Sequence, residues 1–306
     1  MKANSLRSPL QQISRCWQLY LIMLIPMLVI FIFSYGPMFG VQIAFKEFRP
    51  RDGIWGSPWI GFTHFKTFFS SFQFQRTLLN TLGISFYGLL VGFPIPIILA
   101  VLINETANKR FKKSVQLITF APHFISTVVI TNMILMFISV YGGPINNIIA
   151  AMCGERIDFI ARPEYFKSIF VWTGIWQTMG YSSVIYIAAL SSIDPALYEA
   201  ATIDGASKFQ KIWNIDLPGI APTIVILLIL NCGQIMNVGF EKIFLMQNNL
   251  NMSSSDVIST YVYRMGLENA MYSFSAAVGL FNSLVNTFLL LFVNQIVRKL
   301  GETSLW

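Results

Sequence analysis

Uncharged polar residues recur at helical spacing in three places of this 306-residue sequence. The groups are Asn231, Gln234 and Asn237, with Glu241 beyond them; Thr173, Gln177 and Tyr181; and Asn282 and Asn286. Spacings of three or four place the members of a group on one face of a helix. Amides hydrogen-bond hydroxyl groups without carrying charge, and aromatic rings stack on the apolar faces of sugar rings. The pattern predicts a path for a polar solute, although the same residues could instead join helices by interhelical hydrogen bonds.

Catalytic and metal-binding patterns are missing from the sequence. The cysteines and histidines are scattered singly, at Cys16, Cys153, Cys232, His64 and His123, without metal-ligand spacing. A phosphate-binding loop requires a Gly-Lys step, and the chain contains none. No nucleophile–base pair or carboxylate pair accompanies a plausible pocket. We therefore expect no catalytic residue, no metal site and no cofactor bound by this chain.

The composition indicates which elements must position the polar groups. Hydrophobic residues make up 55% of the chain and charged residues 11%, whereas a soluble protein carries roughly 25% charged residues. A water-soluble globule is therefore excluded. The mean hydropathy of +0.60 also excludes a disordered chain, which requires low hydrophobicity and high charge. Membrane-spanning helices remain.

Six stretches without Asp, Glu, Lys or Arg are each long enough for one membrane crossing, which takes about 20 apolar residues. They occupy residues 16–45, 77–104, 114–154, 168–193, 217–240 and 269–297. Tyr141-Gly142-Gly143-Pro144 ends the longest stretch after a single crossing. We predict an all-α, polytopic inner-membrane protein that forms one domain over residues 1–306. Its helices are expected near 18–40, 78–103, 115–140, 166–190, 219–240 and 273–297.

Six crossings place both termini on the same side of the membrane. Positive charges on the two sides are nearly equal in number, but the compact cluster Lys109-Arg110-Lys112-Lys113 favours cytoplasmic termini. The net charge of +7 suits an anionic bilayer surface and gives no reason to expect nucleic acid as a partner.

A polar segment, residues 194–218, separates the fourth and fifth predicted spans. Asp194-Pro195 is typical of a helix start, since aspartate caps the helix and proline fits its first position. Gly205 permits a bend, and a second short helix over Ala206–Trp213 would end before Pro218. The pattern predicts a rigid helix–bend–helix that projects from the membrane. An amphipathic helix lying in the interface is the simpler alternative.

The same segment carries a recognisable motif. It reads Glu199-Ala-Ala-x-x-Asp204-Gly205-Ala206 and, after eight further residues, Ile215-x-Leu217-Pro218. This motif resembles the cytoplasmic signature of permease subunits in ATP-driven, binding-protein-dependent importers, the type I ABC importers with an EAA motif.

Further motifs along essentially the whole chain point to one branch of that family. They are Pro37-Met-Phe-Gly40-Val-Gln-Ile-Ala-Phe45, Gly56-Ser-Pro58-Trp59, Gly92-Phe-Pro-Ile-Pro96, Pro122-His123-Phe124-Ile125-Ser126, Gly239-Phe240-Glu241-Lys242-Ile243-Phe244 and Gly301-Glu-x-Ser-Leu-Trp306. They look like the LplB-type sugar or polysaccharide permeases, which serve complex carbohydrates.

The resemblance implies the MetI-like permease fold and a coupling element. By the motif, that element consists of Glu199, Ala200, Ala201, Asp204, Gly205, Ala206, Leu217 and Pro218. In the family it docks in a groove on a cytoplasmic ATPase and transmits closure of the ATPase dimer to the spans. Glu199 is the expected polar contact and Gly205 the bend.

The implied partners are a second homologous permease, two copies of a cytoplasmic ATPase that binds ATP and Mg, and an extracytoplasmic solute-binding protein. The chain would then lie in the bacterial inner membrane, with both termini and residues 194–218 in the cytoplasm.

The implied activity is alternating-access import of oligosaccharides or polysaccharide fragments, with Gln177, Tyr181, Asn231 and Gln234 as the first candidates for the solute path. A permease for a peptide or amino acid is an alternative, although zwitterions usually require charged partners. An ATP-independent channel or secondary transporter is another. That class usually carries charges within its spans, and the six stretches contain none.

Overall fold

The computed structural model describes residues 17–299 and 305, which are almost wholly helical. Within this part of the chain the only strand-like pairing is one bridge between Lys46 and Trp59. The predicted all-α class is confirmed. The helices are α1 Trp17–Phe45, α2 Gly53–Gly56, α3 Thr63–Phe69, α4 Phe72–Asn104, α5 Lys109–Phe124, α6 Thr127–Ile138, α7 Pro144–Cys153, α8 Pro163–Ser191, α9 Pro195–Ile203, α10 Lys208–Cys232, α11 Phe240–Met246, α12 Met252–Ser255, α13 Ile258–Tyr263 and α14 Tyr272–Lys299.

Four helices, α1, α4, α10 and α14, are long and apolar enough to cross a membrane. A fifth span is added if α5 and α6, which are bent by 102° at their junction, count as one broken crossing. Helix α8 has 29 residues and the length to cross, but its many polar and aromatic side chains lower its hydropathy. The predicted number of six spans is therefore not reproduced by length and apolarity together.

The third and fifth predicted spans differ most from the structure. The predicted helix 115–140 is two helices, because Pro122 lacks an amide hydrogen near the end of α5 and Ser126 caps α6. The predicted helix 219–240 begins earlier and ends at Cys232, and residues 233–239 form turns and irregular chain before α11.

Helix α4 has 33 residues and therefore extends about 50 Å. Near its first half, Ile84 packs in a cluster with Phe166 and Ile175 of α8. Near its last turns, Ala100 packs in a second cluster with Tyr186 of α8 and Ile220 of α10. Helices α4, α8 and α10 thus form the centre of the bundle.

Helix α8 also approaches α5 backbone to backbone at Gly180. A Cβ atom at this position would lie 2.2 Å from the carbonyl oxygen of Thr119, closer than any real contact. The absence of a side chain at Gly180 therefore sets the distance between these two helices.

Helix α1 lies apart from the rest of the chain. None of its residues from Trp17 to Ile30 is buried. Its final turns, Phe39–Phe45, pack against α14 and bury Ala44. Most of the apolar surface of α1 is therefore uncovered by this chain.

A buried carboxylate fastens the connection between α11 and α14 to the start of α4. Asp256 is fully buried, and its two oxygens lie 2.6 Å from guanidinium nitrogens of Arg76 and Arg264. The amide of Asn80 adds hydrogen bonds to the carbonyl oxygens of Ser253 and Asp256. Because both carboxylate oxygens have cationic partners, the charge of Asp256 is compensated where it is buried.

Asp256→Ala should lower the free energy of unfolding by roughly 3 kcal/mol, because it leaves two arginines without their buried partner. Thermal unfolding in detergent measures this change. Glu47→Ala is the matched control, since the Glu47–Arg49 pair is 57% exposed on both sides and should be worth less than about 1 kcal/mol. Equal losses in the two variants would contradict the assignment.

Candidate functional site

A cavity of about 480 Å³ lies between α4, α8 and the end of α10. Its wall contains no charged residue among those the structure describes. Four of the predicted solute-path residues line it: Tyr181, Asn231, Gln234 and Asn237. The other four, Thr173, Gln177, Asn282 and Asn286, do not.

The face of α8 that lines the cavity includes Phe170, Gly174, Thr178 and Tyr181. Residues four apart on a helix are rotated by roughly 40° from each other, so Thr173 and Tyr181 differ by about 80°. Thr173 consequently turns its hydroxyl to the carbonyl oxygen of Ile169 within its own helix. The prediction of one shared lining face therefore holds for Tyr181 but is wrong for Thr173 and Gln177.

The amides after α10 come from a turn and not from one helical face, which corrects the prediction from their spacing. Asn231 lies in the last turn of α10 and donates to the carbonyl oxygen of Leu227. Beyond the helix end, the Asn237 amide donates to Gln234 Oε1 at 2.7 Å, and the Asn282 amide donates to Asn237 Oδ1 at 3.0 Å. Glu241 lies farther on, in α11.

Asn286 serves the interhelical role that the sequence left open. Its Oδ1 accepts a hydrogen bond from the backbone N–H of Met236 at 2.9 Å, and both residues are buried. This contact ties α14 to the turn after α10. Asn282 also acts between elements, because its partner Asn237 belongs to the same irregular stretch.

An aromatic group borders the cavity beside Tyr181. The ring of His123 stacks on Tyr181 with centroids 3.9 Å apart and an interplanar angle of 10°, and Phe120 stacks on Tyr181 at 5.7 Å. His123 and Phe120 come from the end of α5, where Pro122 and the 102° bend orient the chain. Sequence spacing gave no signal for this group, because it depends on contact between separate helices.

The polar segment 194–218 is a helix, a bend and the start of a long helix. Asp194 caps α9, its Oδ1 accepting from the Ala196 N–H at 2.9 Å. Gly205 has a φ of +74°, a backbone region that favours glycine. Ser207 and Gln210 then form a capping box at the start of α10. The predicted second helix does not end before Pro218 but continues through it to Cys232.

One buried contact joins α9 to α10. The hydroxyl of Tyr198 donates to Asp216 Oδ1, and Asp216 is fully buried at the end of a π-helical turn, Ile212–Asp216. Asp216 Oδ2 has no hydrogen-bond partner among the described residues. Burial, together with the hydrogen bond to Asp216, raises the pKa of Tyr198 above its usual range, so its hydroxyl remains a donor.

The outer surface of this segment is free of contacts with the described chain. Helix α9 has no buried residue, and Glu199 is exposed and forms no ion pair within the described residues. Ile203, Phe209 and Trp213 are also exposed, Ile203 by 86%. Apolar side chains of this size on a projecting polar segment indicate a surface that another protein covers.

Two functional features were missed by reasoning from the sequence. Tyr198 and Asp216 are 18 residues apart, and no periodicity connects them. Lys242 is buried beside the cavity, where its amine lies near Phe170 and Gly174 of α8. Its position directly after a charge-free stretch was the available signal for Lys242.

Residues 92–302 match a family model described as "Binding-protein-dependent transport system inner membrane component". Two curated relatives from Bacillus subtilis (strain 168) align over 288 residues, 94% of this chain. Protein LplB is 42% identical, with 91% of its length covered. The polygalacturonan/rhamnogalacturonan transport system permease protein YteP is 39% identical, with 90% covered.

Solved structures agree with these relatives. A chain from a bacterial ABC transporter involved in the import of the acidic polysaccharide alginate is 43% identical, with a TM-score of 0.87 over 94% of this chain and 98% of that one. A chain from a bacterial alginate ABC transporter, in complex with an alginate pentasaccharide-bound periplasmic protein, has a TM-score of 0.89 at 41% identity, over 98% and 100% of the two chains. The resemblance drawn from the sequence motifs is confirmed.

Asn286→Leu should lower the free energy of unfolding by about 1–3 kcal/mol, because the buried N–H of Met236 loses its acceptor. Asn231→Leu is the matched control, since the Asn231 amide is exposed and bonds only within its own helix. Its stability should stay within about 0.5 kcal/mol. Thermal unfolding in detergent separates the two, and an equal or larger loss for Asn231→Leu would be inconsistent with this division of roles.

Proposed function

The chain belongs to the family of inner-membrane components of binding-protein-dependent transport systems, and we propose that it forms half of the translocation pathway of an importer for oligosaccharides or polysaccharide fragments. The segment 194–218 carries this proposal. It has the family's coupling motif in a helix–bend–helix whose outer surface is uncovered. We propose that this surface docks on a separate cytoplasmic ATPase.

The residues at the proposed docking surface divide into two kinds. Glu199 supplies an exposed, unpaired charge, whereas Ile203, Phe209 and Trp213 supply apolar area. Ala200, Ala201 and Ala206 keep the surface low near the bend, and Gly205 provides the turn. A groove on the partner could therefore enclose the bend closely and still find one charged contact.

The substrate class is supported by the cavity and by the relatives. The wall offers the amides of Asn231, Gln234 and Asn237 and the rings of Tyr181 and Phe170, which suit hydroxyl groups and sugar faces. The printed names of the relatives include polygalacturonan, rhamnogalacturonan and alginate. Gln177, Thr173, Asn282 and Asn286 lie outside this cavity wall, and we do not retain them as primary contacts.

Three further partners complete the proposed assembly. The uncovered apolar face of α1 suits a second, homologous permease in the membrane. Because the chain has no Gly-Lys step, ATP and Mg belong to the partner ATPase, present in two copies. At the end of the bundle opposite α9, the exposed rings of Trp55 and Trp59 suit docking of an extracytoplasmic solute-binding protein.

Orientation and mechanism follow from these assignments. A cytoplasmic ATPase requires segment 194–218, and with it both termini, to face the cytoplasm of a bacterial cell. ATP binding would close the ATPase dimer and move α9 and α10 together, opening the cavity outward to receive the sugar. Hydrolysis would then return the cavity to its inward-facing state.

Glu199→Lys should abolish ATP-dependent sugar uptake, reducing it by at least about tenfold, while the protein still inserts in the membrane. The reversed charge meets the ATPase surface that normally contacts a carboxylate. Uptake and membrane content are measured in the same cells. Glu164→Lys, an exposed glutamate in the first turn of α8, is the control, and unchanged uptake in Glu199→Lys would refute the coupling role.

Tyr198→Phe should uncouple ATP hydrolysis from uptake, because Asp216 would lose its hydrogen-bond donor and α9 its buried contact with α10. We expect the number of sugars transported per ATP to fall at least about fivefold. Both rates are measured with the reconstituted importer. Tyr141→Phe, at a residue 87% exposed, provides the comparison, and a ratio equal to that of the wild type would rule out transmission through Tyr198.

A further inference from the structure

Lys242 is a cation buried without a counter-ion. It is 6% exposed, and its Nζ donates to the carbonyl oxygen of Phe170 at 3.3 Å. The Phe170 ring is the second neighbour, with its centroid 5.3 Å from Nζ. No carboxylate in the described part of the chain lies within 4.0 Å of it, whereas the buried Asp256 has two arginines.

The amine of Lys242 lies directly behind the cavity wall. Gly174 lines the cavity, and a Cβ atom on Gly174 would be 3.7 Å from Nζ. Because glycine has no side chain, only backbone separates the amine from the cavity at this point. Val238 and Gly239, just before α11, line the same end of the cavity.

An ammonium group in this position is costly unless something compensates it. Burial alone lowers the pKa of Lys242 to about 8, so the amine still carries its proton at neutral pH. A methionine of similar length would fill the same space without a desolvation cost. The charge therefore contributes nothing to the stability of the folded chain by itself.

We propose that Lys242 binds carboxylate groups of the transported sugar, so that the importer takes acidic oligosaccharides built from uronic acids. The remaining wall of the cavity is uncharged, so Lys242 is its charge-selective element. A carboxylate entering from the cavity supplies the counter-ion that the chain lacks, and the nearby amides bind the hydroxyl groups of the same sugar. This inference rests on the proposed function and specifies its substrate class.

The test uses the complete importer, purified from its host and reconstituted in liposomes with saturating binding protein. The probes are trigalacturonate and its fully methyl-esterified form, which differ only in charge. The variants are Lys242→Met, Lys242→Arg and the control Lys66→Met, an exposed lysine of α3. Maximal uptake rates of both sugars and the thermal unfolding temperature are measured for each protein.

Lys242→Met should reduce the uptake rate of trigalacturonate roughly tenfold, the value of one charge-assisted hydrogen bond. Uptake of the ester should change by less than about twofold, and the unfolding temperature should stay equal or rise. Lys242→Arg should retain the preference for the acid, and Lys66→Met should match the wild type.

Equal losses for the acid and the ester, or no loss for either, would overturn the role of Lys242. A wild-type importer that takes up the ester but not the acid also contradicts this role and leaves the proposed function intact. Uptake of neither trisaccharide by the wild type contradicts the sugar class itself.

Discussion

The exclusion of unpaired charge from the hydrocarbon core is the constraint on which this structure depends. It removes charged residues from six long stretches and requires backbone groups there to be paired within helices. The few buried charges therefore each have a structural partner or lie where a partner can enter. Asp256 has two arginines, Asp216 has Tyr198, and Lys242 has an open cavity behind Gly174.

The two buried carboxylates lie at opposite ends of α4. Arg76, near its start, binds Asp256, whereas Asn104 and Glu105, at its other end, lie beside Tyr198. About 40 Å of helix separates these points. At the first end the carboxylate is doubly paired, which suits a fixed anchor. At the second end Asp216 has one partner and closes a π-helical turn, and π-turns of this kind often occur at functional sites.

The sequence predicted the helical class and the coupling motif because both depend on local composition and spacing. Asp194, Pro195 and Gly205 have the structural roles expected of their types. The broken third span was harder, because Pro122 in a membrane helix indicates a kink but not a bend of 102°. The end of α10 at Cys232 was not predictable either, since Ile235 and Met236 leave the helix to pack against other elements.

The candidate cavity was predictable in its chemistry and only partly in its residues. Amide spacing identified Asn231, Gln234 and Asn237, yet these residues meet through a turn and not along a helix. For α8, spacing gave a correct member in Tyr181 but not the phase of the helix, which is set by contacts such as Gly180 on Thr119. Lys242 and the Tyr198–Asp216 pair required the tertiary structure.

The central claim is that this chain is half of a permease driven by a separate ATPase. Purification of the tagged chain from its host in mild detergent, followed by mass spectrometry of the proteins that remain bound, tests it most directly. The account predicts a second multi-span permease and an ATPase with a phosphate-binding loop, near a ratio of 1:1:2. Recovery of the chain alone, or only with copies of itself, would contradict it.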